Sequence, residues 1–122
     1  MFATQINWTD DYKIALEKSN STNKPILMLI DSLGCLYCEL LEEEVLSNEM
    51  VSDFINENFI PLKVNKNNKT YPKENFTIYG TPTTFFINKN GKPYLSAITG
   101  YVKKDKYFHY LKIGIDFERN KK

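Results

Sequence analysis

Residues 25–38 read Pro25-Ile26-Leu27-Met28-Leu29-Ile30-Asp31-Ser32-Leu33-Gly34-Cys35-Leu36-Tyr37-Cys38. Ile26 to Ile30 is a short unbroken apolar run without alternation, the pattern of a strand covered on both faces of a sheet. Asp31-Ser32-Leu33-Gly34 is turn chemistry. Beyond it Leu36, Leu40, Leu41, Val45, Met50, Phe54 and Ile55 keep a helical period through a soft break near Ser47-Asn48. A central strand therefore feeds directly into a long or kinked helix, and the first turn of that helix carries two cysteines.

Working outward, Thr9-Asp10-Asp11 supplies a helix N-cap and acidic first turn, and Tyr12, Ala15 and Leu16 recur at amphipathic spacing until Ser19-Asn20-Ser21-Thr22-Asn23 breaks the pattern. On the other side, Phe59-Ile60-Pro61-Leu62-Lys63-Val64 reads as a second strand, its proline at the entrance or at an irregularity. A helical crossover of this length favours a parallel, right-handed strand pair. Lys73 to Tyr79 suits a short helix that Gly80 ends before Thr81-Pro82. Thr83 to Ile87 and Lys92 to Ile98 are strand-like runs joined through Asn88-Lys89-Asn90-Gly91, which predicts an antiparallel hairpin. Tyr107, Phe108, Leu111 and Ile115 mark a closing helix over Lys103 to Phe117. The predicted class is α/β: one domain over residues 1–122, with a central mixed β-sheet flanked by helices on both faces.

Composition narrows the functions open to such a domain. In 122 residues, 16 Lys plus Arg against 15 Asp plus Glu leave a net charge of +1, with no bias toward nucleic acid. No apolar run is long enough to insert in a membrane. Met1 to Asp11 turns acidic at once and has no signal-peptide pattern, so the expectation is a protein that stays inside the cell or one whose signal was removed. Two cysteines and one histidine exclude a disulfide-dense scaffold and a four-ligand zinc site made of Cys and His alone. His109 reads as an ordinary surface or packing residue of the last helix, and no metal or dissociable cofactor is expected.

The chemistry therefore rests on Cys35 and Cys38. Three apart at a helix start, they share a face and lie close enough for a disulfide or a shared soft metal. Unpaired N–H groups and the helix dipole favour a thiolate at Cys35, which makes it the more acidic, exposed nucleophile. Cys38, deeper in the turn, is placed to attack a mixed disulfide on Cys35 and resolve it. Three plainer readings compete: a structural staple, half a metal site completed by a partner chain, and an inert core pair. The staple is weak, since closing so small a loop contributes on the order of 2 kcal/mol. The metal site lacks further ligands, and Gly34 at a helix start argues against full burial.

The strand ending in Asp31-Ser32-Leu33-Gly34-Cys35-Leu36-Tyr37-Cys38, together with Gly80-Thr81-Pro82-Thr83 and Gly100-Tyr101, resembles the thioredoxin superfamily. Trp8-Thr9 before a helix ending in Asn23-Lys24-Pro25-Ile26 narrows the resemblance to thioredoxin-like proteins of bacterial envelopes, a group that includes the C-terminal domain of the membrane thiol:disulfide interchange reductase. The resemblance implies a thioredoxin fold and a thiol-disulfide oxidoreductase that reduces protein disulfides. An isomerase, an oxidase and a non-catalytic binding module stand as alternatives. It implies Cys35 and Cys38 as catalytic residues and Gly34, Tyr37, Thr81 and Pro82 as substrate-binding residues. A cis Thr81-Pro82 bond is implied too, exposing the Thr81 backbone to an extended client; sequence alone favours a trans turn. Partners would be proteins bearing disulfides or thiols and a redox protein that donates electrons. A monomer in the periplasm is implied, with the cytoplasm as the alternative.

Three departures from the pattern bear on mechanism. Thioredoxins proper place Trp before the first cysteine, Gly-Pro between the pair, and a buried Asp in the preceding strand; here those places hold Gly34, Leu36-Tyr37 and Leu29. Asp31 is a candidate substitute for the missing aspartate, against a plain loop or capping role. Tyr37 stands where stronger oxidants carry His, and Glu39 opposes a thiolate on Cys35, both of which favour a reductase. Glu42, Glu43 and Glu44 read as a solvated helix face. Packing is the default reading of Tyr71, Tyr79 and Tyr101, with rimming of a substrate groove as the rival.

Overall fold

In the computed structural model, which describes residues 5–120, the apolar run Ile26–Ile30 is the core of an inner strand. In chain order the elements are α1 (Tyr12–Thr22), β1 (Ile26–Asp31), α2 (Leu36–Leu41), a π-helical turn (Glu42–Leu46), α3 (Glu49–Asn58), β2 (Ile60–Asn65), a 3-10 turn (Lys73–Asn75), β3 (Thr83–Ile87), β4 (Ile98–Thr99) and α4 (Lys104–Arg119). The sheet order is β2-β1-β3-β4. β1 runs parallel to β2, with Ile26 opposite Ile60, and antiparallel to β3, with Ile26 opposite Ile87. β3 and β4 are antiparallel. This is the thioredoxin fold, with its mixed sheet.

Alternation along β1 explains why its run is apolar throughout. Leu27 and Leu29 enter one core with Leu41, Val45, Ile55, Tyr107 and Leu111, from the α2–α3 segment and α4. Ile26, Met28 and Ile30 enter the other with Tyr12 and Ala15 of α1 and with Tyr71 and Phe76. Local chemistry sets the helix ends. The Asp11 carboxylate accepts from Ile14 N–H at the start of α1, and Asn23 ends it at φ 61°. The soft break is real: the π turn closes with Ser47 N–H donating to the Glu42 carbonyl, and Asn48 then caps α3 through Val51 N–H. Pro61 sits inside β2, where its carbonyl accepts from Thr9 N–H of the N-terminal segment. Its missing N–H therefore faces the sheet edge, where a proline is tolerated.

Two predicted elements are shorter than their sequence patterns suggest. The helix expected over Lys73 to Tyr79 shrinks to the single turn Lys73–Asn75. Phe76 is drawn into the core, edge-on to Phe85 at 5.2 Å and to Tyr12 at 6.1 Å. Burying that ring outweighs the modest helix propensity of Phe76-Thr77-Ile78-Tyr79. The expected strand Lys92 to Ile98 survives as an Ile87–Pro93 bridge and, further on, β4. Tyr94 N–H donates to the Phe86 carbonyl and Thr84 pairs with Ile98, so Phe85 alone faces Leu95, Ser96 and Ala97, which bulge out of the ladder. Tyr94 stacks on Phe117 at 5.7 Å and its hydroxyl donates to the Gly114 carbonyl, which fastens this segment to α4.

Candidate active site

The turn after β1 delivers Cys35 to the start of α2. Gly34 adopts φ +67°, a conformation that L side chains rarely take, and the space around it is open. Cys35 is the N-cap of α2, and its sulfur accepts from Cys38 N–H at 3.1 Å. A sulfur thus fills the place of the usual capping oxygen. Cys35 and Cys38 are joined as a disulfide with Cα atoms 5.2 Å apart. Cys35 is half-buried, whereas Cys38 is buried in the turn behind it. Cys35 is therefore the more accessible sulfur of the pair.

The loop before β3 brings Thr81 against the same sulfur. The Thr81–Pro82 peptide bond is cis. Thr81 Oγ1 lies 3.4 Å from Cys35 Sγ and the Thr81 carbonyl oxygen 3.5 Å from it. Behind Thr81, Ser32 Oγ is 2.7 Å from Thr81 Oγ1. Pro82 is buried, and its carbonyl accepts from Gly100 N–H at 2.7 Å, which seats the Gly100-Tyr101 corner beside this loop. Gly34, Cys35, Cys38, Thr81 and Pro82 therefore converge. Tyr37 lies on the rim, its side chain turned to solvent.

Charge near the site is arranged differently from the sequence expectation. Glu43 and Glu44 are exposed, but Glu42 is half-buried and reaches Lys63 of β2 at 2.9 Å. The Lys63 ammonium also lies 4.9 Å from the Trp8 ring centroid. Asp31 ends β1 beside this pair. Burial pushes its carboxyl above the ordinary carboxylate range and the Glu42 charge adds to the rise, while Lys63 and a backbone hydrogen bond oppose it. Leu29, at the place of the missing aspartate, is buried in the apolar core. The three tyrosines separate: Tyr71 is buried, the Tyr101 hydroxyl donates to Glu44, and Tyr79 is 89% exposed two residues before Thr81. Sequence reasoning missed Ser32 and Glu42, because the contacts that single them out come from distant positions in the chain. His109 is exposed on α4, and among the described residues no three His, Cys, Asp or Glu side chains converge as metal ligands.

The sequence profile of the thioredoxin-like domain matches residues 12–114, from the first turn of α1 to the third turn of α4. The chain belongs to the thioredoxin-like domain family. Among curated relatives, it is 27% identical over 106 residues to the thiol:disulfide interchange protein DsbD of Campylobacter jejuni, covering 84% of this chain and 18% of that one. It is 31% identical over 61 residues to spermatogenesis-associated protein 20 of Rattus norvegicus, covering 50% of this chain and 8% of that one. The thioredoxin-like chain thus spans only a small part of these relatives. Among solved structures, a putative disulphide-isomerase from Bacteroides thetaiotaomicron superposes with a TM-score of 0.80 at 21% identity, covering 95% of this chain and 98% of that one. No helix among the described residues is long and apolar enough to cross a membrane.

Proposed function

We propose that this thioredoxin-like chain is a protein thiol-disulfide oxidoreductase working in the reducing direction. The observation that carries the reading is the half-buried Cys35 sulfur, bonded to Cys38, capping α2 and facing Thr81. Starting from the dithiol, Cys35 loses its proton to solvent and its thiolate attacks a client disulfide. The client S–S bond breaks, a mixed disulfide forms on Cys35, and the first client thiolate leaves and takes a proton. Cys38, deprotonated in turn, attacks the Cys35 sulfur; the Cys35–Cys38 bond forms and the second client thiolate departs and is protonated. The client gains two electrons and two protons. A redox protein of the same dithiol chemistry then returns the pair to the reduced state, and no dissociable cofactor enters.

Clients are held by the surface around Cys35. Among the described residues, the four most exposed large apolar side chains are Leu33 at 94%, Tyr79 at 89%, Leu36 at 63% and Tyr37 at 58%. All four flank Cys35 or Thr81 in the chain, a placement that suits apolar residues beside a client's cysteine. Gly34 leaves room for the approach, and the Thr81 main chain beside the sulfur is offered to an extended segment. Tyr37 and Glu39 supply no cation to the thiolate, which supports reduction over oxidation. The unit is proposed to act as a monomer in the periplasm, a reading that the resemblance to envelope proteins supports.

The test is capture. Cys38→Ser should hold client proteins as mixed disulfides on Cys35 that dithiothreitol releases, and Cys35→Ser should hold none. Undiminished partner binding by the double Cys35→Ser, Cys38→Ser variant would overturn the exchange reading in favour of a binding module.

A further inference from the structure

We propose, resting on the exchange reading above, that Ser32 is a positioning residue: its hydroxyl donates to the Thr81 hydroxyl and so turns the Thr81 proton onto the Cys35 thiolate. The contacts form a line, Ser32 Oγ to Thr81 Oγ1 at 2.7 Å and Thr81 Oγ1 to Cys35 Sγ at 3.4 Å, with both hydroxyl residues half-buried. Each hydroxyl has a single proton. A thiolate or a disulfide sulfur has none to give, so the contact at sulfur is satisfied only when Thr81 donates to it. Thr81 Oγ1 is then free to accept, and Ser32 must be the donor. If Thr81 donated to Ser32 instead, the sulfur would lose this partner.

The relay distinguishes the two protonation states of Cys35. The Thr81 carbonyl oxygen, 3.5 Å from the sulfur, can accept from a thiol but repels a thiolate. The Thr81 hydroxyl favours the thiolate. Ser32 tips this balance, and each bond in such a chain polarises the next. Among the described residues, the donors that reach the Cys35 sulfur are Cys38 N–H and the Thr81 hydroxyl. In the reduced protein the Cys38 thiol is the titratable group directly beside it. Glu39 and Tyr37 on α2, Asp31 at the end of β1 and Tyr79 ahead of Thr81 are its ionisable neighbours along the chain, and Glu42 and Lys63 are paired with each other.

The experiment follows the alkylation rate of Cys35 by iodoacetamide against pH in the reduced protein, for wild type, Ser32→Ala, Ser32→Thr, Thr81→Val and the double variant Ser32→Ala, Thr81→Val. Ser32→Ala should move the midpoint up by about half a pH unit, so that the thiolate fraction below the midpoint falls about threefold. Thr81→Val should move it about one unit. Ser32→Thr should restore the wild-type profile, and in the Thr81→Val background the Ser32 change should have no further effect. A profile unmoved by Ser32→Ala, or an equal shift in both backgrounds, would overturn the relay. Circular dichroism checks that each variant is folded, and the Ser32→Thr rescue separates a lost hydroxyl from a disturbed turn. Alkylation needs no client, so failure of the relay is read separately from failure of Cys38→Ser to capture one.

Discussion

At the scale of single residues, Asp31 carries a cost that pH should reveal. Burial raises its folded pKa above the unfolded value, against the pull of Lys63. Between those two values the folded chain binds more protons than the unfolded one, so stability falls as pH rises. Asp31's favourable contribution is complete below the unfolded pKa and is lost as pH rises through the folded one. Asp31→Asn removes the ionisation but keeps the shape. Measured on the disulfide form, it should melt at a higher temperature than wild type near pH 7, and the difference should vanish at about pH 3. A lower melting temperature at pH 7 would mean that the attraction of Lys63 outweighs burial. The cysteine pair was legible in the sequence because its spacing and helix-start position are local. The Ser32 and Glu42 contacts were not: Ser32 meets Thr81 forty-nine residues away, and Glu42, in the π turn, meets a lysine on β2.

At the scale of elements, the packing of α4 on the sheet turns on Gly114. Its position in the helix interior normally favours alanine by about 1 kcal/mol. A Cβ there would lie 2.7 Å from Phe86 Cε1 and 2.8 Å from Phe86 Cδ1. Phe86 is itself fixed against Phe59 and Tyr94, so it has little room to retreat. Gly114→Ala should therefore destabilise the protein by roughly 1–3 kcal/mol despite the better helix propensity, as read from the midpoint of urea unfolding. An unchanged or raised midpoint would show that the ring gives way. From sequence this glycine looks like a weak spot in a helix, since nothing local announces the ring beneath it. The same holds for Phe76, whose burial shortened the helix around it, and for Tyr94, whose contacts with Phe117 and Gly114 hold its segment on α4.

At the scale of the molecule, the sheet holds the α2 start and the Thr81–Pro82 loop face to face through the β1–β3 pairing, Ile30 opposite Thr83. The reduction potential integrates this whole arrangement. Equilibrated against glutathione and dithiothreitol, the Cys35–Cys38 couple should be more reducing than the glutathione couple. A markedly oxidising value would favour an isomerase or oxidase with the same residues, and failure to form the internal disulfide would remove exchange chemistry altogether.

What the sequence determined by itself is what local pattern encodes: a strand buried on both faces, the helix that follows it, and a cysteine pair where helix-end N–H groups are free. Hydrophobic periodicity and spacing act over a few residues, so they can be read without the fold. Only the tertiary structure decided that Thr81 and its Ser32 neighbour meet the Cys35 sulfur and that Glu42 pairs with Lys63. It also decided that Phe76 gives up a helix for the core. Those outcomes depend on which distant side chains share a volume, and strand pairing, not local propensity, sets that.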